Sequence, residues 1–495
     1  MNTKYKSIVA FFILLATVSC KKDLLLPPYN GMINEEVVNT IEGLQSATIG
    51  TYNYIKDAYY VRNYHFFTEY ASDNVSLSGT TTDPLFYAYN YQHQKNQANS
   101  EQFWRKAYQA IYGTNVVIEK VPQTEDAIRN QLLGENHYLR AMIHFDLVKV
   151  FGRPYTEDSG ESLGVMIKTN TDVTELPPRS KVKDVYALVI SDLNKAIELT
   201  NSSKNNTFAS KEVAKALLSR VYLYMGNYEQ AYALADEVIK SQRYALLSSV
   251  EYPKYFTKSP EENAETIFAI KHVLSDDRTW GSLGSMYWGG SSGYGEMYAS
   301  LSYRNLLNKF PNDLRNSFVV AQYEKNADGS VKTDAQGKPV FQKRNGYEKH
   351  FISKYSFQNG YESLSSPVVL RLAEIYLNRA EAAFHLGKQA EALADVNVIR
   401  QRAGLSGAAL FSTDNMMGYT SVLDVVLDER RLELAFESQR KFDVFRNKQT
   451  LYRNYPGTHL ASGQTTQEIG YKDARVIFYI PEQDMVVNTN LVQNP

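Results

Sequence analysis

Hydrophobic positions recur with helical spacing along much of the chain. From Val182 to Ile197 apolar residues fall three or four positions apart, which predicts an amphipathic helix with Ser180 as its N-cap. The same periodicity predicts two pairs of helices further along, over residues 211–226 and 228–240, and over residues 369–386 and 389–403. Helices therefore dominate both ends of the predicted structure.

The two predicted helix pairs resemble each other at their turns. Gly226 and Gly387 each stand at the turn, and Ala231 and Ala392 follow five residues later. Small residues at these positions let two antiparallel helices approach closely, as they do in tetratricopeptide repeats. Two alanine-rich helices could also share such a turn by chance.

The middle of the chain has a different pattern. Between about residues 246 and 366 the helical periodicity fades, and Gly, Ser, Tyr, Asn and Asp accumulate. The glycine-rich run 280–294 is not expected to form a regular helix, and Asn326 to Gly329 predicts a turn at a hairpin tip. Loops carried on a helical frame are a common place for binding. We therefore expect a helical scaffold with binding loops at 20–245, a loop-rich ligand-binding region at 246–366, and a second helical scaffold with a tail at 367–495.

The N-terminus has the pattern of a secretory signal peptide. Lys4 and Lys6 precede an apolar run from Ile8 to Val18, which is too short for the roughly 20 residues that span a bilayer. The run closes on Cys20, the single cysteine of the chain. A small residue followed by cysteine resembles a bacterial lipobox, in which the thiol is acylated after cleavage. Residues 1–19 are thus predicted to be a lipoprotein signal peptide and Cys20 the lipid attachment site; a chance cysteine after an ordinary signal peptide is the alternative.

Composition narrows the possible functions. The 495 residues carry 53 basic and 54 acidic side chains, so no global field attracts nucleic acid, and no nucleic-acid partner is expected. With its cysteine acylated, the mature protein has no thiol for a disulfide, a metal or a nucleophile. The 37 tyrosines far outnumber the 3 tryptophans. Tyrosine suits stacking against sugars, although we expect most of these rings to pack between helices.

Known catalytic and metal-binding motifs are missing from the sequence. It contains no HExxH, P-loop, GxSxG or paired-cysteine pattern. His137 and His144 lie seven residues apart on one predicted helical face, but no third ligand follows at a helical spacing, so we interpret them as packing residues. No catalytic residue, metal or cofactor is therefore predicted, and the protein is not expected to be an enzyme.

The most distinctive motif covers residues 427–446. If this segment is one helix, Glu433 and Glu437 lie one turn apart and Arg440 lies one turn beyond them. A glycosidase would need two carboxylates facing each other across a sugar, one of them with a raised pKa. Two glutamates on one helical face among four arginines should instead have lowered pKa values. We therefore interpret the motif as a buried or semi-buried ion-pair lattice.

This motif resembles the ERR-x-ELAFE-x-QR-x-FD signature of the SusD/RagB family of Bacteroidota outer-membrane lipoproteins. Residues 134–152 resemble the helix of that family that begins GEA-x-FLRA, residues 371–404 its RxAE…NxVRxRAG pair, and residues 479–495 its closing element. Asp313 and Arg315 resemble a further Asp-x-Arg element and are interpreted as a structural pair. The chain departs from the family at Asn136, where alanine is usual, and at Asn488 to Asn490, where Asn-Pro is commoner.

The resemblance implies an all-α fold, with a tetratricopeptide-like helix-pair scaffold and an irregular, loop-rich second lobe. It also implies a binding protein without turnover, which captures oligosaccharides and delivers them to a SusC-type TonB-dependent transporter. In the RagB branch the ligand is a peptide, which is the alternative here, and a glycoside hydrolase is less favoured. Acylated Cys20 would anchor the protein to outer-membrane lipid, facing outside the cell, although Asp23 is the one acidic residue directly after Lys21 and Lys22.

Ligand contacts in this family lie in variable loops, so the site is predicted from chemistry. Pyranose rings stack their C–H faces on Trp and Tyr, while Asn, Asp and Arg bind the hydroxyls. The predicted ligand-binding residues are Trp280, Tyr287, Trp288 and Tyr294 in the loop-rich region and, as a second set, Asp73, Asn74, Tyr87 and Tyr89. For each of these, the alternative is a side chain that covers its own loop.

Overall fold

Helices dominate the computed structural model, which describes residues 37–79, 84–201, 204–291 and 293–495. The predicted signal peptide and Cys20 lie outside these residues. The helices are α1 (Ile41–Ile55), α2 (Ala58–Thr68), α3 (Pro84–Tyr89), α4 (Ala98–Lys120), α5 (Ala127–Phe151), α6 (Tyr155–Asp158), α7 (Val182–Leu199), α8 (Lys211–Met225), α9 (Tyr228–Lys240), α10 (Gly284–Tyr287), α11 (Leu301–Leu307), α12 (Leu372–His385), α13 (Gln389–Arg402), α14 (Val422–Leu434), α15 (Arg440–Arg446) and α16 (Glu482–Val487).

Short strands connect the helical parts. They are β1 (Val75–Leu77), β2 (Thr266–Ala269), β3 (Met297–Ala299), β4 (Val319–Ala321), β5 (Lys343–Arg344), β6 (Tyr347–Glu348), β7 (His350–Ile352), β8 (Val368–Arg371), β9 (Leu451–Arg453) and β10 (Gln467–Ile469). They form antiparallel two-stranded ladders that pair β1 with β3, β2 with β8, β4 with β7, β5 with β6, and β9 with β10. Because these strands are so short, the predicted all-α class is confirmed.

The tetratricopeptide-like helix pairs are confirmed as α8 with α9 and α12 with α13. Gly226 and Gly387 have φ angles of +77° and +76°, a conformation that glycine adopts without strain at the end of a helix. Ala231 and Ala392 are fully buried, where α9 packs against α8 and α12, and α13 packs against α12. A larger side chain at either alanine would push the paired helices apart.

Two predicted helix starts were wrong. Helix α7 begins at Val182 after Lys181, whose side chain makes no capping hydrogen bond, so Ser180 is not the N-cap. The helix expected from residue 369 begins at Leu372, because the β-branched residues before it pair with β2 in strand β8, with Thr266 opposite Arg371. This pairing attaches the loop-rich middle of the chain to the C-terminal scaffold.

The middle region is irregular, as predicted. Among the described residues of the 280–294 run, the α-helix is limited to the single turn α10. The turn from Asn326 to Gly329 is confirmed: the Asn326 amide donates to the Ser330 carbonyl at 2.9 Å, and Gly329 has a φ of +84°. The division of residues 20–495 into three regions stays a prediction. The largest apolar core contains residues of all three regions, including Phe145, Ile267 and Ile480.

The distinctive motif is two helices and not one. Helix α14 ends at Leu434, α15 begins at Arg440, and Phe436 and Ser438 between them have φ angles of +70° and +63°. The Glu69 carboxylate, which follows α2, accepts hydrogen bonds from the Phe436 amide at 3.0 Å and the Ser438 amide at 2.9 Å. The Glu69 carboxylate thus accepts hydrogen bonds from two backbone amides that, in a continuous helix, would donate to carbonyls of the same helix.

Glu433 and Glu437 nevertheless converge on one cation. The Arg371 guanidinium, at the end of β8, contacts Glu433 and donates from Nε to Glu437 Oε2 at 2.7 Å. Burial alone would raise the pKa of Glu433, but Arg402 and Arg371 outweigh it and hold that pKa well below its ordinary value. Arg371 and Lys354 likewise keep the pKa of Glu437 lowered against its burial. The predicted ion-pair lattice is confirmed.

The cations of this lattice come from other parts of the chain. Arg315 pairs with Asp313 at 2.6 Å, which confirms that structural pair, and also reaches Glu429 of α14 at 2.6 Å. By contrast, Arg430 and Arg446 of the motif itself pair with Asp443. The arginines nearest in sequence are therefore not the ones that neutralise Glu433 and Glu437.

Replacing Glu433 by alanine is expected to destabilise the protein by about 3 to 5 kcal/mol, because Arg371 and Arg402 lose a buried counter-ion. Urea unfolding followed by circular dichroism measures this loss. The exposed Glu391, which accepts a hydrogen bond from Tyr232, supplies the control, and Glu391→Ala should leave the unfolding free energy unchanged. A Glu433→Ala protein as stable as this control would contradict the lattice.

As the pH is lowered, the free energy of unfolding is expected to fall in two stages. Burial lowers the pKa of His65 to about 3 and that of His144 to about 4, so unfolding lets both protonate below their ordinary value of 6.5. Glu433 and Glu437, whose pKa values folding lowers, add a second loss as pH falls below their ordinary 4.5. Urea midpoints measured from pH 8 to pH 4 should fall first below about pH 6.5 and then more steeply near pH 4.5. A flat profile over that range would rule this out.

Candidate functional site

Trp280 and Tyr294 form an exposed aromatic pair at the surface of the loop-rich region. Their ring centroids lie 4.9 Å apart with an interplanar angle of 66°, and each residue is 46% exposed. The two residues meet because the chain between them folds back on itself, with the Gly295 amide donating to the Ser285 carbonyl at 3.0 Å. The result is an edge-to-face pair with ring surface open to solvent.

Glycine makes this tight loop possible. A Cβ atom on Gly284 would lie 2.0 Å from the carbonyl oxygen of Tyr355, and one on Gly293 would lie 1.8 Å from that of Trp288. Real Cβ atoms do not approach a backbone oxygen so closely, so these positions admit no side chain. The glycines that mark this run in the sequence therefore serve backbone packing around the aromatic pair.

A pocket of about 280 Å³ lies beside Tyr294. Its walls come from helices as well as from the loop: α2, α3, α4 and α10 all contribute. The lining residues are Arg62, Phe66, Leu85, Asn99, Met286, Tyr294 and Glu296. Apolar side chains combined with a guanidinium, an amide and a carboxylate are the usual lining of a small-molecule pocket.

Arg62 connects the pocket to the aromatic pair. Its Nη1 donates to the Trp280 carbonyl at 3.1 Å, and its guanidinium lies 5.7 Å from the centroid of the Phe66 ring. Its Nε is buried and has no hydrogen-bond partner within the part of the chain that the structure describes. The described residues form no ion pair with Arg62, which lines the pocket, so its guanidinium can donate to a bound ligand through a nitrogen other than the buried Nε.

Arg344 contacts two of the residues that line the pocket. Its Nη1 donates to the Tyr294 carbonyl at 2.7 Å, and its Nη2 contacts Glu296 Oε1 at 2.9 Å. Arg344 ends strand β5, which turns into β6 through Asn345 and Gly346 with φ angles of +50° and +86°.

Sequence reasoning missed both Arg344 and Arg62. The Asn-Gly pair signals the hairpin, and the four-residue spacing of Arg62 and Phe66 places them on one helical face.

Trp288 and Tyr87 are both half-buried. The indole N–H of Trp288 donates to Glu362 Oε1 at 2.9 Å, and its ring packs edge-to-face on Phe357 at 4.9 Å. Tyr87 lies on α3, with its ring 5.9 Å from that of Phe86. Binding of ligand by these two residues, like binding by Trp280 and Tyr294, stays a prediction.

The predictions for Tyr287 and Tyr89 are corrected, since both are fully buried. The Tyr287 ring packs between those of Tyr70 and Tyr355, each 5.7 Å away, because the helical turn α10 directs it into the core. The Tyr89 hydroxyl is hydrogen-bonded to Nδ1 of His459 at 2.9 Å. Neither ring presents a face to a ligand.

Asp73 and Asn74 are also buried, and their predicted binding role is wrong. Arg440 donates to Asp73 at 2.8 Å and Arg431 donates to Asn74 at 2.9 Å. Burial would raise the pKa of Asp73, but Arg431 and Arg440 hold it well below its ordinary value. Because these arginines lie more than 350 positions away in the chain, no local signal marked the pair as structural.

The two histidines considered as metal ligands make internal contacts. His137 Nδ1 lies 2.7 Å from Asp192, and His144 Nδ1 lies 2.9 Å from the Arg140 carbonyl, which agrees with the packing role expected of them. Across the described ranges, no group of three or more His, Cys, Asp or Glu side chains could hold a metal ion. In the same residues, no helix is both long enough and apolar enough to cross a membrane.

Two family models match almost the whole chain. Residues 219–495 match the model of the SusD family, and residues 26–223 match a model described as starch-binding and associating with the outer membrane. Both the helical scaffold and the loop-rich region fall within these matches.

Individual proteins show the same likeness. SusD-like protein P38 of Formosa agariphila is 25% identical, over 90% of this chain and 93% of its own length, and SusD-like protein P2 of that organism is 24% identical over 99% of each. A solved SusD superfamily protein of Bacteroides thetaiotaomicron has a TM-score of 0.79 at 29% identity, covering 92% of this chain and 100% of its own. A proposed sugar-binding protein of Bacteroides vulgatus has a TM-score of 0.77 at 28% identity, covering 92% and 98%.

Replacing Gly284 by alanine is expected to destabilise the protein by at least about 2 kcal/mol, because the new Cβ would collide with a backbone oxygen that cannot move aside. Gly281, three residues earlier, is the matched control: its Cβ would meet nothing closer than 3.7 Å, so Gly281→Ala should fold normally. Thermal unfolding compares the two variants. Equal stability would show that the tight loop does not need its glycines.

Proposed function

Because this chain belongs to the SusD family, we propose that it binds oligosaccharides and delivers them to a SusC-type TonB-dependent transporter in the outer membrane. The observation that carries the proposal is the exposed pair of Trp280 and Tyr294 beside the 280 Å³ pocket. The names of similar proteins, which describe binding of starch or sugar, support the same ligand class.

The site has the chemistry that a sugar chain requires. The exposed rings offer apolar surface to pyranose C–H groups, while Arg62 and Asn99 can donate to hydroxyls and Glu296 can accept from them. Ligand pockets commonly measure roughly 300–1,000 Å³. A pocket of 280 Å³ therefore suits about one sugar residue, with the neighbouring residues of the chain running over the aromatic pair.

The arrangement of carboxylates in this region supports a protein that binds a sugar without hydrolysing it. Glycosidases use two carboxyl groups on opposite sides of the scissile bond. Among the described residues that line the pocket, Glu296 provides the single carboxylate, and it is paired with Arg344. Glu433 and Glu437, the other glutamates considered for catalysis, are buried among arginines with lowered pKa values.

The proposed attachment is a lipid on Cys20, with the protein on the outer face of the outer membrane. Cys20 is the single cysteine of the chain, so a Cys20→Ser variant removes the proposed acylation site completely. The RagB-like alternative, a peptide ligand, shares this attachment and differs only in what the Trp280 site accepts.

Alanine at Trp280 or Tyr294 should weaken binding of a polysaccharide ligand by about tenfold or more, and the double variant should abolish it, because each ring supplies stacking surface. Affinity electrophoresis of residues 21–495 against a polysaccharide panel identifies a ligand, and calorimetry measures the affinity. Tyr452→Ala is the control, since Tyr452 is 52% exposed on β9 and does not line the pocket. Unchanged affinity in the double variant would refute the site, and binding of a peptide mixture alone would favour the alternative ligand.

Cells that express Cys20→Ser should release the protein from the membrane fraction, while the wild type stays there after a carbonate wash. Metabolic labelling with a palmitate analogue should mark the wild type alone. Added protease should degrade the wild type on intact cells, as expected for outward display. A labelled Cys20→Ser protein would contradict the attachment site, and protection from protease would contradict the orientation.

A further inference from the structure

Thr279, directly before Trp280, has a backbone conformation that its own side chain disfavours. Its φ angle is +46°, and it is the one β-branched residue with a positive φ angle among the residues that the structure describes. In this left-handed region the Cβ atom lies too close to the following carbonyl oxygen, and a branched side chain increases the crowding. Contacts from other residues must therefore hold Thr279 in this conformation.

Asp277 supplies these contacts. Its Oδ1 accepts a hydrogen bond from the Thr279 amide at 3.1 Å, which closes a short turn of the kind that Asp side chains stabilise. Its Oδ2 accepts a hydrogen bond from the hydroxyl of Ser363, in the loop before β8. The carboxylate of Asp277 thus connects the turn at Thr279 to a segment that lies 86 positions away in the chain.

The neighbouring carboxylate, that of Asp276, is already engaged. Its Oδ2 forms an ion pair with Lys56, which follows α1, and its Oδ1 accepts a hydrogen bond from the Val273 amide at 2.8 Å. Asp276 therefore holds the preceding part of the loop, and Asp277 is the acid that binds the Thr279 amide.

The turn at Thr279 determines where the Trp280 ring lies. The Thr279 carbonyl accepts a hydrogen bond from the Ser282 amide at 3.0 Å, and the Trp280 carbonyl accepts one from the Ser285 hydroxyl at 2.8 Å. The backbone is thus fixed on both sides of Trp280, whose ring lies edge-to-face against Tyr294. A ring that is fixed before a ligand arrives loses little conformational entropy on binding.

We propose that Asp277 is a positioning residue for Trp280. By holding Thr279 in the left-handed conformation, it keeps the Trp280 ring against Tyr294 and open to solvent. Strained backbone recurs at ligand-binding sites, where the surrounding structure supports it. The value of this arrangement for sugar binding rests on the proposed function, whereas the positioning of Trp280 does not.

Asp277→Ala is the first variant of the test. Without the carboxylate, Thr279 should return to a negative φ angle and move the Trp280 ring away from Tyr294. Labelling with 5-fluorotryptophan gives one ¹⁹F NMR signal for each of the three tryptophans, and Trp280→Phe identifies the signal of Trp280. In Asp277→Ala this signal should shift towards its position in Tyr294→Ala, while the other two tryptophan signals stay in place and show that the fold is intact.

Glycine at position 279 separates backbone strain from a general structural role. Because glycine adopts a positive φ angle without strain, Thr279→Gly should restore the Trp280 signal of the Asp277→Ala protein. Asp172→Ala is the matched control: Asp172 accepts a hydrogen bond from the Thr174 amide at 2.8 Å in the same Asp-x-Thr arrangement, but Thr174 is not left-handed. The Trp280 signal of this control should equal that of the wild type.

Affinity electrophoresis in gels that contain soluble starch, xylan, laminarin or pectin extends the test to binding. In a gel that retards the wild type, Asp277→Ala should bind at least about fivefold more weakly, and adding Thr279→Gly should recover most of the affinity.

The possible outcomes are distinct. An unshifted Trp280 signal in Asp277→Ala, a shift that Thr279→Gly fails to reverse, or unchanged affinity in Asp277→Ala would overturn the proposal. A wild type that no gel retards would count against the proposed sugar binding, and the ¹⁹F signals would still decide whether Asp277 positions Trp280.

Discussion

The buried guanidinium of Arg371 is the interaction on which the rest of this structure depends. It ends strand β8 and contacts three carboxylates, that of Glu265 in the loop-rich region and those of Glu433 and Glu437 in the distinctive motif. Burying so many charges is costly unless each one is paired. Because Arg371, Glu433 and Glu437 take their partners from distant segments, their charges are paired in one arrangement of β8, α14 and the turn after it.

The lattice extends towards the candidate binding site through the break between α14 and α15. Glu69 binds the amides of that break, and Arg440 just beyond it pairs with Asp73. The segment after Asp73 forms β1, which pairs with β3, and the Ser78 amide donates to the Glu296 carbonyl at 2.8 Å. The motif at residues 427–446 thus helps to position strands β1 and β3, which lie next to the Trp280 pocket.

Much of this fold could be predicted because helical periodicity is local. The α8–α9 and α12–α13 pairs were found to within a few residues, and the glycines of the 280–294 run correctly indicated an irregular loop. The remaining candidate residues show the limit of that reasoning. Tyr287 and Tyr294 occur in the same glycine-rich run, yet one is fully buried and the other is open to solvent. Composition alone could not separate them, because burial depends on rings contributed by Tyr70 and Tyr355.

The sequence by itself determined the helical scaffold through local spacing and the ion pairing of Glu433 and Glu437 through local charge, while the resemblance of its motifs indicated the family. The tertiary structure alone decided which arginines neutralise those glutamates, that a break separates α14 from α15, and that Arg62 and Arg344 flank the pocket. The physical reason is range: backbone hydrogen bonds within a helix join residues four apart, whereas Asp73 and Arg440 meet across 367 positions of the chain.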